Sequence, residues 1–545
     1  EGIDYFETYA SVCRTKTLRT MLALYNSDPS FTCEHWDIKN AFVNAPIKED
    51  IWIEQPEGHE IPGMEGYVYK LDQALYGCKQ SSHCFQQFLK RMLAEVGATP
   101  LVYDDSIYQV RNSKGGWVLI GTHVDDLFAL ANEEGKIIRQ QIFDKMSEEV
   151  TITNDGEISW ALKASIDRDP ESGILKITQS AYIREILARF PVDTLPGKDT
   201  PTFSDGDMSV VKASEEPMDP VEVARMHAKY PFFEAIGCLW WAATISRADI
   251  APATHAVSCS VSRPTEKLWI QILRIFQYLK KHPDIGLVFT RPKPDAPLLR
   301  AAADASLADA RKGRSTIGHC TFFMGCLVDW RSCTSTRVAD SSAEAEAMAL
   351  VVWGKENAWY RGLLRELCMI DQLDPTKCRR PVHILEDNSA VISMSNGPQS
   401  KQSRHYDLTW YKFKDCIAAL EYVLEKVDTH QNPADLFTKA LPTPKFTYLR
   451  DMMMGGNTLQ NHFKNLSSHP AEVNFCCDND FELEENPEIE TEIQLENEKE
   501  KDTLAQTTLE HFSNSNPQTL HGFFVQKPMK KQEVQAAATP AAVPG

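Results

Sequence analysis

Residues 116–131, GWVLIGTHVDDLFALA, set two adjacent carboxylates, Asp125 and Asp126, between two apolar runs. Each run has the length of a strand and is apolar enough to be buried. The pair is therefore expected at the tip of a hairpin whose body lies in a core. Asp tolerates turn geometry, so an ordinary turn is one reading. Two carboxylates at such a tip repel, however, and have raised pKa values unless a cation sits between them. A divalent cation removes the conflict.

A third acid stands in similar surroundings. Asp37, in FTCEHWDIKNAFVNAPI, ends a short strand-like run before a turn. Hard cations such as Mg²⁺ take carboxylate oxygens and keep positions open for substrate phosphates. Three acids from two elements suffice to hold two such ions for in-line phosphoryl displacement.

Composition limits what surrounds this hairpin. The 545 residues are too many for one core, so two to four domains are expected. With 43% hydrophobic and 24% charged residues, most of the chain should be globular. No apolar run approaches the roughly 20 residues of a membrane span. No basic segment followed by an apolar stretch opens the chain, so no secretory signal is expected. Glu1 stands where Met would begin a complete chain, which points to a piece of something longer. The 14 cysteines form no C-x-x-C pair, and Cys320, Cys326 and Cys333 are spaced too loosely for a zinc ribbon. They read as reduced thiols of the cytosol or nucleus, with Cys476 and Cys477 exposed in a polar tail. The net charge of −19 argues against a basic surface that coats nucleic acid, but not against a local basic groove.

Residues 1 to about 160 mix helical patterns (TLRTMLALYN, SSHCFQQFLKRMLAEVG) with strand-like runs (DIWIEQP, GYVYKL, GWVLIGTH). Similar texture continues to about 200, and DTPTFSDGDMSVVKASEEPMDP then reads as a linker. Residues 228–281 are expected to be helical, with EKLWIQILRIFQYLKK amphipathic. TRPKPDAP (290–297) marks a boundary. From 298 to 440 the pattern predicts three strands, then helix, strand, helix, strand, helix. Residues 478–502 hold 12 acids against two lysines and read as disordered.

The 298–440 segment has acids of its own. Asp304 ends an apolar strand in LLRAAADASLADA. DSSAEAEAMALVVWGKENAWYRGLLREL is a long helix, opened by a capping box of Ser341 and Glu344, with Glu346 in its first turns. Asp387 lies where a strand gives way to a helix, and Asp435 near a helix start just after Pro433. Favourable interaction with a helix dipole explains Asp387 or Asp435 singly, but not Asp304 on its strand. Four acids on separate elements suit two metal ions and phosphodiester hydrolysis.

Several motifs in order carry a family likeness. GIDYFETY, DIKNAFVN, LYGCKQSS and HVDDLF, followed by YIREIL, IGCLWWAATISRADI and ILRIFQYLK, resemble the reverse transcriptases of copia-type LTR retrotransposons. STIGHCTFFMGCLVDWRS, SSAEAEAMA, EDNSA and NPADLFTKAL resemble the ribonuclease H domain that follows in those elements. The likeness covers roughly residues 1–450. Departures are His123 for the usual Tyr, Ser11 for Pro, Ser81–Ser82 for Ala-Pro, and SRADI for TRPDI.

The resemblance implies an α/β chain in four parts. These are an α+β palm and fingers of a right-hand polymerase over 1–160, N-terminally truncated, and a helical thumb and connection over 161–295, with a linker near 197–220. A ribonuclease H-like mixed α/β domain over 296–450 and a disordered acidic tail over 451–545 follow. It implies Asp37, Asp125 and Asp126 as palm metal ligands, and Asp304, Glu346, Asp387 and Asp435 as those of the nuclease, with two Mg²⁺ or Mn²⁺ ions per site. Glu344 rivals Glu346, which is preferred because it directly precedes the apolar AMAL run in the inward register. Phe42 is implied beneath the incoming sugar, where a ring would collide with a ribose 2′-hydroxyl. Tyr76, Gly77, Lys79 and Gln80 are implied substrate contacts. Arg274, Lys280 and Lys281 lie in the thumb region, facing phosphates or simply solvent. His430 is a surface histidine or an aid to product release, and RHYDL receives no role. The implied partners are an RNA template, a DNA primer and product, the RNA–DNA hybrid and deoxynucleoside triphosphates, with no membrane, and integrase and capsid regions of a longer polyprotein. The implied location is the cytoplasm, within a virus-like particle, and the nucleus. The rival readings are an inactive relic, a host-adopted scaffold, and a protein in which only the nuclease works.

Overall fold

The computed structural model describes residues 8–64, 66–202, 218–293, 297–368, 381–397 and 408–455. Most of GIDYFETY and RHYDL, the centre of the linker, Cys476, Cys477 and the acidic tail lie outside the described residues. The chain divides into two compact units, Glu1–Trp52 with Lys70–Ser468, and Ile53–Tyr69 with His469–Gly545. In the described part of the smaller unit, the Gln55 side chain accepts from the Ile61 amide and donates to the Tyr67 carbonyl, closing a loop.

Helix α1 (Thr15–Ser27) and strand β1 (Thr32–Ile38) come first. Short strands β2 (Trp52–Glu54) and β3 (Val68–Lys70) pair with each other. Then follow α2 (Ser81–Glu95), β4 (Thr99–Pro100), β5 (Ile107–Arg111), β6 (Trp117–His123), β7 (Asp126–Ala131), α3 (Lys136–Ser147) and β8 (Ile152–Glu157). Six of these strands form an antiparallel sheet in the order β4-β5-β6-β7-β1-β8.

The central hairpin is buried, as its apolar runs predict, and the burial extends to both faces. Trp117, Leu119, Phe128 and Leu130 enter one core, shared with α1. Val118, Ile120, Leu127 and Ala129 enter another, closed by Phe85 and Leu89 of α2 and by Ile138 and Ile142 of α3. Period-2 alternation sorts neighbouring residues into opposite cores. Each large side chain removed from water in this way contributes about 1.5–3 kcal/mol.

A second antiparallel sheet, in the order β12-β11-β10-β9, combines β9 (Trp160–Ala161), β10 (Ala164–Asp169) and β11 (Ile174–Thr178) with the returning β12 (Leu287–Thr290). Between β11 and β12 lie α4 (Ser180–Arg189), α5 (Pro220–Lys229), α6 (Phe232–Ile245), α7 (Ala251–Ser258) and α8 (Glu266–Lys281). Helix α8 buries Leu268, Trp269, Ile272, Ile275, Phe276 and Leu279, the apolar stripe of an amphipathic helix. The Thr265 hydroxyl caps it by accepting from the Leu268 amide at 3.1 Å. Its basic residues hold the chain before the linker and the linker's first residues. Arg274 donates to the Thr200 carbonyl at 3.0 Å. Lys280 donates to the carbonyls of Val192, Asp193 and Leu195 at 2.7–3.0 Å. Lys281 pairs with Asp199 at 2.5 Å.

The third sheet is mixed. Strands β13 (Leu299–Ser306), β14 (Arg314–Phe323) and β15 (Cys326–Val338) are antiparallel, and long helix α9 (Ser342–Cys368) precedes β16 (Val382–Glu386) and β17 (Tyr422–Lys426), which run parallel to β13. The order is β15-β14-β13-β16-β17. Among the described residues two helices, Ser389–Asn396 and Leu408–Ala418, stand between β16 and β17, where the pattern predicted one. The helix expected at Asp435 is a 3-10 turn, Pro433–Phe437, followed by helix Thr443–Met454.

The first and third sheets are docked through α1. The buried Arg19 guanidinium donates to the Val328 carbonyl at 2.6 Å and to the Thr244 carbonyl at 2.5 Å, and lies 4.0 Å from the Trp330 ring centroid. Lys16 pairs with Glu356 of α9 at 2.6 Å. Among the described residues no helix is long and apolar enough to cross a membrane.

Candidate active sites

The first cluster sits at the tip of the β6–β7 hairpin. Val124 turns the chain with a φ of 58°, and residues 123–126 are half-buried, at the border of core and solvent. Asp126 lies directly opposite Asp37 across the antiparallel β1–β7 ladder. The carbonyl of Asp125 accepts from the Ile38 amide at 3.0 Å, so the tip is tied to β1. The three sequence-predicted acids thus lie on adjoining strand ends.

Cationic groups meet two of them. Lys39 forms an ion pair with Asp37. The Nε2 of His35 lies 2.8 Å from Asp126, and its Nδ1 lies 3.4 Å from Asp155. The hydrogen bond to Asp126 raises the His35 pKa above its ordinary value, against the opposing effect of burial. The His35 ring stacks on Phe128 at 5.7 Å, which sets its plane.

After β1 the chain passes Asn40, at a φ of 53°, into the short 3-10 helix Ala41–Asn44. There the half-buried Phe42 ring meets Tyr76 at 4.7 Å and Phe85 at 6.2 Å. Tyr76 is exposed, as are Gly77 and Lys79, whereas Gln80 is buried at the start of α2. Gly77 has a φ of 101°, a conformation that any side chain would strain. Phe42 and the 76–80 turn therefore form one surface, next in the chain to Asp37.

The second cluster lies on the third sheet. Asp304 of β13 and Asp435 are both fully buried. Asn432 brings them together: its side chain accepts from the Ala434 amide at 3.0 Å and donates to the Ala303 carbonyl at 3.2 Å. Lys439 reaches both acids, at 3.1 Å from Asp304 and 2.7 Å from Asp435. Thr438 donates to Asp304, and Lys445 pairs with Asp435. Asp387, half-buried beyond the end of β16, completes a trio whose ligand oxygens all lie within 4.8 Å of one another.

Helix α9 resolves the choice between its two glutamates. The Glu344 amide donates to the Ser341 hydroxyl at 3.1 Å, as the predicted capping box requires, while its carboxylate accepts at 2.8 Å from the amide of Asp340 rather than from that of Ser341. Arg337 pairs with it at 3.2 Å. Glu346 points instead toward the acids, and its buried Oε2 has no hydrogen-bond partner. Glu346, Asp387 and Glu386 form a second trio within 4.8 Å. Glu386 was not among the sequence candidates. Its signal was its place as the last residue of β16, beside Asp387.

Electrostatics here is dominated by burial. Desolvation, then the Asp435 charge, pushes the Asp304 carboxyl up to about 7. Desolvation, Asp304 and Glu386 push Glu346 up to about 11. Glu386 rises to about 8, again mainly through burial. Burial acts the same way on Asp435, but Lys439 and Lys445 outweigh it and hold that carboxyl below its ordinary range. The unpartnered oxygens and the all-carboxylate donor set fit a hard divalent cation. His430 is exposed, and its amide donates to Asp428 at 2.8 Å.

Residues 1–204 match the family model described as reverse transcriptase (RNA-dependent DNA polymerase). The chain is 28% identical over 456 residues to the Retrovirus-related Pol polyprotein from transposon TNT 1-94 of Nicotiana tabacum, covering 83% of this chain and 33% of that one. Over most of its length the chain is similar to copia-type transposon Pol polyproteins. The Pol polyprotein of transposon RE1 from Arabidopsis thaliana is 26% identical over 82% of this chain and 29% of its own length. The Transposon Ty1-JR2 Gag-Pol polyprotein of Saccharomyces cerevisiae is 24% identical over 82% and 25%. The chain thus spans about a third or less of these Pol polyproteins. Among solved structures, the foamy viral protease-reverse transcriptase in complex with RNA/DNA hybrid overlaps 75% of this chain and 46% of its own, at 12% identity and a TM-score of 0.35. The first group of acids lies inside the segment that matches the reverse transcriptase model, and the second lies outside it.

Proposed function

We propose that the chain is an RNA-directed DNA polymerase with a linked ribonuclease H, which copies retrotransposon RNA into DNA and degrades the RNA of the hybrid. One observation carries this reading: a single compact unit holds three acids on adjoining strand ends, inside the segment that matches the reverse transcriptase model, and a separate group of converging carboxylates on the third sheet. In the proposed division, 1–160 is palm and fingers, 161–295 thumb and connection, and 296–450 the nuclease.

Asp37, Asp125 and Asp126 would hold Mg²⁺ or Mn²⁺ in the polymerase site, and Asp304, Glu346, Asp387 and Asp435 in the nuclease site, two ions in each. Bound there, the cations supply positive charge to phosphate oxygens as charge develops on them. The remaining work falls to the chain's own groups. His35 orients Asp126. Phe42, braced by Tyr76, presents a ring edge that excludes a 2′-hydroxyl and so selects deoxynucleotides. Tyr76, Gly77, Lys79 and Gln80 receive the template and incoming nucleotide. In the nuclease, Thr438 and Lys439 fix Asp304, and Asn432 fixes the turn that bears Asp435. The substrates are an RNA template, a DNA primer, deoxynucleoside triphosphates and the hybrid, whose RNA strand is marked by its 2′-hydroxyls. Integrase and capsid regions belong to a longer polyprotein, and the site of action is a cytoplasmic virus-like particle and the nucleus.

A second reading, in which only the nuclease works, is favoured by one contrast. Carboxylate oxygens converge on the third sheet, whereas Lys39 and His35 engage Asp37 and Asp126 on the first. Incorporation of deoxynucleotides on a primed RNA template, compared with Asp125→Asn, separates the readings. Hybrid cleavage is followed in parallel, with Asp304→Asn as its control. Incorporation abolished by Asp125→Asn supports the full reading. Cleavage alone leaves a nuclease, and neither activity leaves a relic or scaffold.

A further inference from the structure

We propose that Glu386 is a cation ligand of the nuclease site, and that Glu346, Glu386 and Asp387 together hold a divalent cation beside the position formed by Asp304, Asp387 and Asp435. The inference deepens the ribonuclease H reading and rests on it for what the cation does.

Geometry comes first. One carboxylate oxygen from each of Glu346, Glu386 and Asp387 lies within 4.8 Å of the other two, and the same holds for Asp304, Asp387 and Asp435. Asp387 is common to both groups, so the two positions adjoin. Glu386 is 0% exposed and Glu346 6% exposed. The Oε1 of Glu386 accepts from the Asn388 amide at 2.8 Å. Its Oε2, like that of Glu346, is buried with no hydrogen-bond partner. A buried carboxylate oxygen without a donor is strongly unfavourable, so two of them in one place call for a ligand.

The nearby lysines do not meet this need. Lys439 pairs with Asp304 and Asp435, and Lys445 with Asp435. The Lys426 ammonium donates to the main-chain carbonyl of Asp387. Neither Glu346 nor Glu386 forms an ion pair among the described residues. Both trios consist of carboxylates alone, without histidine or cysteine, which selects Mg²⁺ or Mn²⁺ over softer metals. Three elements supply the oxygens: α9, β16 and the turn after it. Their spacing is thus fixed by the fold rather than by a flexible loop.

The test counts manganese bound to the full chain, in wild type and in Glu386→Gln, by calorimetric titration and by the paramagnetic signal of free Mn²⁺. Binding at the first sheet is common to both proteins, so the difference reports the nuclease site. Glutamine keeps the acceptor for the Asn388 amide, and melting without metal checks the fold. Glu386→Asp, which retains a carboxylate, is the second variant. Glu386→Gln is expected to bind one Mn²⁺ fewer, or to bind the last one at least about tenfold more weakly, with Glu386→Asp in between. Identical Mn²⁺ binding in Glu386→Gln and wild type overturns the proposal. Cleavage of a labelled RNA–DNA hybrid by wild type, absent from Asp304→Asn, decides the ribonuclease H reading separately. A lost cation without any wild-type cleavage keeps the Glu386 site and defeats that reading. Cleavage with an unchanged cation count does the reverse.

Discussion

Asp37 and Asp126 face each other as direct partners across the β1–β7 ladder, and each is engaged by a basic side chain from β1 or the turn after it. Like charges opposite one another in a sheet are destabilising. His35 and Lys39 relieve that repulsion from residues two positions either side of Asp37.

The His35 contact makes the hairpin pH-dependent. A histidine whose folded pKa is raised contributes stability that is fully present below its unfolded value of about 6.5. That stability is lost as pH rises through the raised folded value. Amide exchange in β1 and β7 should therefore quicken, beyond its intrinsic pH dependence, from about pH 6.5 upward. His35→Gln should remove this extra slope, and equal slopes in the two proteins would refute the assignment.

The nuclease acids carry the opposite chemistry with the same sign. Asp304, raised to about 7, and Glu386, raised to about 8, hold protons in the folded state that the unfolded chain releases. Their contribution is complete below about pH 4 and is lost as pH rises through those folded values. In EDTA the melting temperature should fall between about pH 5 and 8. Added Mg²⁺ should raise it more at pH 8 than at pH 6, because protons compete for the same oxygens. Asp435, held low by its two lysines despite burial, opposes this trend only below about pH 4. A melting temperature that is flat with pH and indifferent to Mg²⁺ would contradict this account.

Gly318 should be intolerant of alanine. A Cβ there would lie 2.6 Å from the Thr438 methyl and 2.7 Å from the Phe437 Cβ. Thr438 donates to Asp304, so the displaced turn would carry a nuclease ligand with it. Gly318→Ala is expected to lower hybrid cleavage about 10- to 100-fold while leaving primer extension unchanged. Equal loss of both activities would indicate general misfolding instead.

Arg19 holds the first and third sheets in one unit. Arg19→Ala leaves the carbonyls of Val328 and Thr244 without their buried donor. The region around β15 should lose about 2–4 kcal/mol, read by native-state hydrogen exchange. A loss below about 1 kcal/mol would mean that solvent replaces the guanidinium.

Much was legible without coordinates because its causes are local. Unbroken apolar runs in 117–121 and 127–131 predicted a buried hairpin; successive side chains of a strand point to opposite faces, and here both sets are apolar. Ser341 and Glu344 announced the start of α9, since a cap is a contact across three residues. The same register turned Glu346 inward. The tertiary structure alone decided the rest, because each remaining feature joins groups far apart in the chain. Lys280 and Arg274, read as facing phosphates or solvent, instead hold the carbonyls of residues 192–200. Glu386 meets Glu346 only because β16 lies parallel to β13 beneath α9. Asp304 meets Asp435 because Asn432, Thr438 and Lys439 tie the 432–439 turn to β13. Patterns along the chain thus determined which residues are acidic, buried and strand-borne, whereas long-range pairing determined which acids share a cation and which are neutralised by lysine or histidine.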